Sequence, residues 1–201
     1  SRMTAQIRGL AQGIENANDA ISMINTAEGA MVEMTNMLQR MRELVVQAGN
    51  GTTTSDDRSF LSAEYVNLLA EIDRIAENTQ WNGQDILNGK AAASSSFSFQ
   101  VGANGGQTIT VDFGDQTNDA TSGVFTELTA SYASITSSST FTASATVALD
   151  AAITAVNTQR ATFGAAVNQL TYAVDNLASV KVNAEASRSR VLDTDYAAET
   201  S

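Results

Sequence analysis

The residues with the most chemistry in reach lie in QRMRELVVQAGNGTTTSDD, positions 39–57, where Arg40, Arg42 and Glu43 stand among apolar neighbours. Two guanidinium forks beside a carboxylate suit an interface, because arginine binds planar acidic partners bidentately. The plain alternative is the wet face of a helix. Asp193 and Asp195 could pair as acid and base or hold a cation, but no neighbour that would raise a carboxylate pKa is visible, so a solvated helix end fits better. GANGG at 102–106 has the glycines of a phosphate loop without its Lys-Ser/Thr, so it reads as a hairpin turn. Met31, Met34, Met37 and Met41 could line an adaptable groove, yet three of them share the apolar stripe and read as core, with Met37 off it. Asn50-Gly51-Thr52 fits a glycosylation triplet, and the serine runs 94–96 and 137–139 could carry O-linked sugars.

Composition removes most enzymatic options. The 201 residues include no His and no Cys, so there is no neutral-pH proton shuttle, thiolate nucleophile, disulfide or Cys/His zinc site. A carboxylate-only hydrolase is the one formal survivor, and the expectation is a protein that is not an enzyme and holds no cofactor or metal. With 22 acids against 11 bases the net charge is −11, which repels nucleic acid and anionic lipid. No apolar run reaches the roughly 20 residues of a membrane span, and no secretory signal opens the chain. Ser1-Arg2 is not a natural start, so a trimmed sequence is expected.

The elements that position these residues follow from periodicity. Ile7, Leu10, Ile14, Ala17, Ile21 and Ile24 begin a stripe that continues through Ala27, Met31, Met34, Leu38, Met41 and Val45. Steps of three and four predict one helix over about 2–48, roughly 70 Å at ~1.5 Å per residue. A phase slip between Ile24 and Met34 suggests a bend there. Gly49 and Gly51 end the helix. Thr54 with Asp57 forms a capping box for a second helix, whose apolar face is Leu61, Tyr65, Leu68, Ile72 and Ile75. The short connection predicts antiparallel packing, and Asn82-Gly83 marks a turn.

SFSFQVGANGGQTITVDFG at 96–114 alternates on both sides of its glycines and predicts a β-hairpin. Positions 115–145 are Ser/Thr-rich and read as a short outer insertion or connector. From Thr146 to about Arg190 a third helix is marked by Leu149, Ile153, Val156, Phe163, Val167, Leu170, Val174 and Leu177, with Arg160 interrupting the seam. The expected fold is mainly α with a small β part: an elongated bundle of long antiparallel helices, chain ends side by side, plus the hairpin. Its divisions are 1–114, 115–145 and 146–201.

Several stretches resemble bacterial flagellin. NANDAISMINTAEGAMVEMTNMLQRMRELVVQAGNGT at 16–52 resembles its N-terminal core, and EIDRIAENTQWNGQDIL at 71–87 the close of its second rod helix. FQVGANGGQTI at 99–109 is similar to the rod-domain hairpin. FGAAVNQLTYAVDNL at 163–177 and ASRSRVLDTDYAAE at 186–199 are similar to the C-terminal signature. The match spans nearly everything except about 115–145.

The resemblance implies a rod-domain fragment without the two terminal coiled-coil segments. It implies a secreted, extracellular protein, exported unfolded through the flagellar channel, that builds the motility filament with other subunits. Hook-associated and cap proteins, an export chaperone and Toll-like receptor 5 are the further partners it implies. Carried over by position, the receptor or subunit interface is Gln39, Arg40, Leu44, Gln47 and Glu64. Arg40, Leu44 and Gln47 share one helical face offset from the core seam, with Leu44 as an exposed apolar knob. Leu68 departs from the pattern, standing where an arginine is often found. The alternatives within the lineage are a hook–filament junction protein or a surface adhesin binding through 90–145.

Overall fold

The structure is a computed structural model that describes residues 2–89, 95–117, 124–129 and 141–199. Its elements are α1 (Arg2–Ala48), α2 (Ser55–Asn78), β1 (Gln80–Trp81), β2 (Gln84–Asp85), β3 (Ser96–Gln100), β4 (Thr108–Asp112) and α3 (Phe141–Glu199). The absence of proline leaves each long helix free of its strongest breaker. Residues cluster into two units, one of 1–24, 98–111 and 164–201, the other of 25–97 and 112–163.

In the second unit α1 buries Met31, Met34, Leu38, Met41 and Val45 on one side. The buried positions step regularly from Ala17 to Ala48, and α1 runs unbroken through the stretch where a phase slip was expected. The slip arose from counting Ile14 and Ile21, which are half-buried, in place of the fully packed small residues Gly13 and Ala20. The helix ends at Ala48, just before Gly49 as expected, but without a left-handed glycine cap. Gly49 and Gly51 are not among the left-handed glycines. Instead Asn50 N–H and Thr53 Oγ1 donate to Gln47 O at 3.1 and 3.0 Å, satisfying a carbonyl that the last turn leaves open.

The expected capping box starts α2. Asp57 N–H donates to Thr54 Oγ1 at 3.2 Å, and Thr54 N–H donates to Asp57 Oδ2 at 3.1 Å. The Thr54 hydroxyl, which donates to Asp57 Oδ2 at 2.7 Å, and then the Thr54 N–H hold the Asp57 carboxyl below its usual range. The buried face of α2 is Ser62, Tyr65, Leu69, Ile72 and Ala76, one position round from the expected Leu61, Leu68 and Ile75, which are half-buried. Tyr65 is 0% exposed, and its hydroxyl donates to Leu128 O at 3.3 Å. Burial pushes its pKa up.

The antiparallel β1–β2 pair closes through Asn82 and Gly83, at φ 50° and 76°, the two positive angles of a tight primed turn. β3 and β4 form the predicted hairpin. Val101 N–H donates to Gln107 O at one end, and Phe113 N–H donates to Ser95 O at the other. Phe113 then packs edge-on to Phe97 at 5.3 Å and against Phe163 of α3 at 5.1 Å.

In the first unit the hairpin tip meets α1. A Cβ on Gly9 would come within 3.1 Å of Ala103 Cβ, and one on Gly13 within 3.1 Å of the Val101 backbone. Asn16 Nδ2 donates to Gln100 O at 2.9 Å beside them. Leu10, Ala17, Leu170 and Leu177 are buried in this unit.

α3 starts at Phe141 and ends at Glu199, longer at both ends than its sequence seam suggested. In the second unit it pairs with α1 through Arg42–Asp150 and Glu28–Arg160, so the two run antiparallel. Arg160, the interruption in the seam, is therefore paired across helices.

Candidate docking surface

The two arginines of the 39–57 stretch reach in different directions. Two residues apart on a helix, their side chains lie on opposite flanks. Arg40 turns to α2, where its Nε and Nη2 each lie 2.9 Å from Glu64 Oε1. Its Nη1 also meets Glu43 Oε2 at 3.0 Å. Arg42 turns to α3, with Nε donating to Asp150 Oδ1 at 2.7 Å. Hydrogen bonds that Arg40 donates to Glu64 and then to Glu43 hold its guanidinium even more firmly charged, and the bond to Asp150 does so for Arg42. All these groups are exposed, so the pairs contribute little to stability.

Gln39, Arg42, Glu43, Val46 and Gln47 border a shallow depression of about 560 Å³ on α1. Of the interface residues carried over from the sequence, the structure joins Arg40 directly to Glu64 and leaves Gln39 and Gln47 exposed nearby. Leu44 departs from its expected role. It is 1% exposed, a core residue and not a knob. The cause is the width of the buried arc, since near its C-terminal end α1 buries Met41, Leu44, Val45 and Ala48 together. Val46, 55% exposed, is the apolar side chain this surface offers. Asp150 had no sequence signal, because its partner lies 108 positions away.

Among the described residues no three His, Cys, Asp or Glu side chains cluster as metal ligands. Tyr65, whose pKa moves most, is spent on a core hydrogen bond. The side chains of Asp193 and Asp195 and the serines 94 and 137–139 lie outside the described residues. No described helix is long and apolar enough to cross a membrane.

The described residues form long helices with closely packed interiors and charged outer faces. Comparison with known proteins gives the family. Residues 1–92 match the bacterial flagellin N-terminal helical region, and 146–201 match the C-terminal helical region. A flagellin of Halalkalibacterium halodurans is 40% identical over 198 residues, 98% of this chain and 70% of that protein. The flagellar filament 30.7 kDa core protein of Treponema maltophilum is 37% identical over 98% of this chain and 71% of its own. Among solved structures, Bacillus cereus flagellin superposes with TM-score 0.67 at 31% identity, covering 81% of this chain and 88% of that one. A putative flagellar hook-associated protein from Vibrio parahaemolyticus gives TM-score 0.76 at 15% identity over 92% of both chains, a likeness of fold.

The chain belongs to the bacterial flagellin family. It is a structural subunit of the extracellular flagellar filament, which assembles from flagellin subunits, and it is not an enzyme.

Proposed function

We propose that the exposed face carrying Gln39, Arg40, Gln47 and Glu64 is a docking surface used twice, by neighbouring subunits in the filament and by Toll-like receptor 5. One observation carries this reading. Arg40 is held by Glu64 of α2, so a rigid donor fork and its acidic frame stand preformed on the surface. Val46 supplies the apolar contact that the sequence assigned to Leu44. Export of the unfolded chain through the flagellar channel, with a chaperone before export and hook-associated and cap proteins at the filament ends, completes the reading.

Arg40→Ala and Gln47→Ala are the test, because both side chains are exposed and the fold does not need them. Receptor activation in a reporter cell line is expected to fall about tenfold or more for Arg40→Ala, the scale of a hot-spot truncation. Unchanged activation in both variants, with circular dichroism unchanged, removes the receptor reading. A junction protein of the same fold would form no long homopolymer, so polymer length by electron microscopy separates it from a filament subunit.

A further inference from the structure

Glycine after asparagine leaves the next backbone nitrogen unshielded, and that nitrogen is placed to attack the asparagine's own side-chain amide. The chain has four such pairs, Asn50-Gly51, Asn82-Gly83, Asn88-Gly89 and Asn104-Gly105. The sequence ranks them equally and the fold does not.

Three of the four are held away from this reaction. Asn88 is 5% exposed, and its Nδ2 donates to Asp85 Oδ2 at 2.9 Å, so the amide is tied to a carboxylate and shielded from water. Asn82 stands at φ 50° in the two-residue turn between the paired Trp81 and Gln84, and closing a ring onto Gly83 would have to undo that turn. Asn104 is anchored in the hairpin tip by three bonds. Its N–H donates to Gln107 Oε1 at 3.0 Å, and its carbonyl accepts from Gln100 Nε2 at 2.6 Å and from Gln107 N–H at 3.4 Å.

Asn50 differs. It is exposed and lies between α1 and α2, outside any strand. Its side chain turns back along the chain, where Thr52 N–H donates to Asn50 Oδ1 in a long contact of 3.4 Å. That contact brings the side-chain carbonyl over the intervening Gly51 peptide. It also gives Oδ1 a donor for the negative charge that builds there under attack. Gly51 N–H donates to none of the described residues, and nothing lies within 4 Å of a Cβ placed on Gly51, so a ring has room to form.

We infer that Asn50 is a self-modification site, which loses its amide through a cyclic imide and becomes a mixture of aspartate and isoaspartate. The Gly51 nitrogen bonds to Asn50 Cγ and gives up its proton, and the side-chain nitrogen leaves as ammonia. Water then opens the imide at either carbonyl. One water enters, one ammonia departs, and nothing is oxidised or reduced. The product adds a negative charge to a chain already at −11. In the isoaspartate form it also lengthens the backbone where Asn50 N–H and Thr53 Oγ1 close on Gln47 O. The inference does not depend on the docking reading.

The test ages the full chain in mildly alkaline heavy-oxygen water and maps its peptides by mass spectrometry, so that only amides lost during ageing carry the label. Asn50 is expected to take up label at least tenfold faster than Asn82, Asn88 or Asn104, and faster as pH rises, with isoaspartate present beside aspartate. In urea the four rates are expected to converge. Gly51 is not at a left-handed angle, so the turn accepts Gly51→Val, which should slow Asn50 at least tenfold and leave Asn82 unchanged. Conversion of Asn50 no faster than that of another pair in the folded chain overturns the inference. So does aspartate without isoaspartate, or a Gly51→Val chain that converts like the parent.

Discussion

α2 and residues 151–174 of α3 are both 24 residues long, and both bury apolar residues on one side, Tyr65 and Ile72 on α2, Val156 and Phe163 on α3. Their outer sides share little. α2 holds eight charged residues and the α3 stretch holds one. On α2, Glu71 pairs with Arg74 along the helix, and that hydrogen bond keeps the Glu71 carboxyl below its usual range. The inner sides answer to the core, where any close-packed set of apolar residues will serve. The outer sides are under no such packing constraint, so their composition is free to differ.

The largest test of this contrast strikes the sides that should be alike. Tyr65→Ala and Phe163→Ala each remove a ring that is 1% exposed or less, and each is expected to lower unfolding free energy by about 3–5 kcal/mol in urea titrations. A loss below about 1 kcal/mol at either ring would mean the two inner sides are not equivalent.

A smaller effect is expected at the start of α2. Thr54→Ala removes the cap and should lower stability by about 1 kcal/mol. The same hydroxyl is the first cause of the depressed Asp57 pKa. Because the folded value lies below the unfolded one, this contribution is present above the ordinary carboxylate range and lost as pH falls through the folded value. The gap between parent and variant should therefore narrow in acid, and urea titrations at several pH values read it. A gap that widens in acid contradicts the assignment.

The smallest effect sharpens the contrast from the other side. Gly164→Ala should raise the thermal stability of the dilute chain by roughly 0.5–1 kcal/mol. Gly9→Ala should lower it, since the new methyl meets Ala103. A destabilised Gly164→Ala chain would show that this glycine is needed within the chain after all.

Much of this was legible in the sequence, for identifiable reasons. Regular three-four spacing over 2–48 and a Thr-x-x-Asp box are local signals, and α1 and the start of α2 lie where they point. The hairpin followed from alternation around the glycines. Faces lined by small residues were harder to read. Ser62 and Ala76 are buried although neither is strongly apolar, so the inner face of α2 was placed one position off. β1 and β2 span two residues each, too short to show a period. Arg40 and Glu64 were singled out through the resemblance alone, and no local signal announced the ion pair between them, while Leu44 was misplaced because one stripe of heptad positions hides how wide the buried arc becomes.

The notch at Gly9 and Gly13 also makes the hairpin dependent on a distant helix. A lone two-stranded ribbon is marginal in water, and here its seat includes Asn16, 84 positions upstream of the Gln100 carbonyl it binds. The ribbon draws part of its stability from that seat, so a side chain added at either glycine would be felt in the strands as well as in the helix.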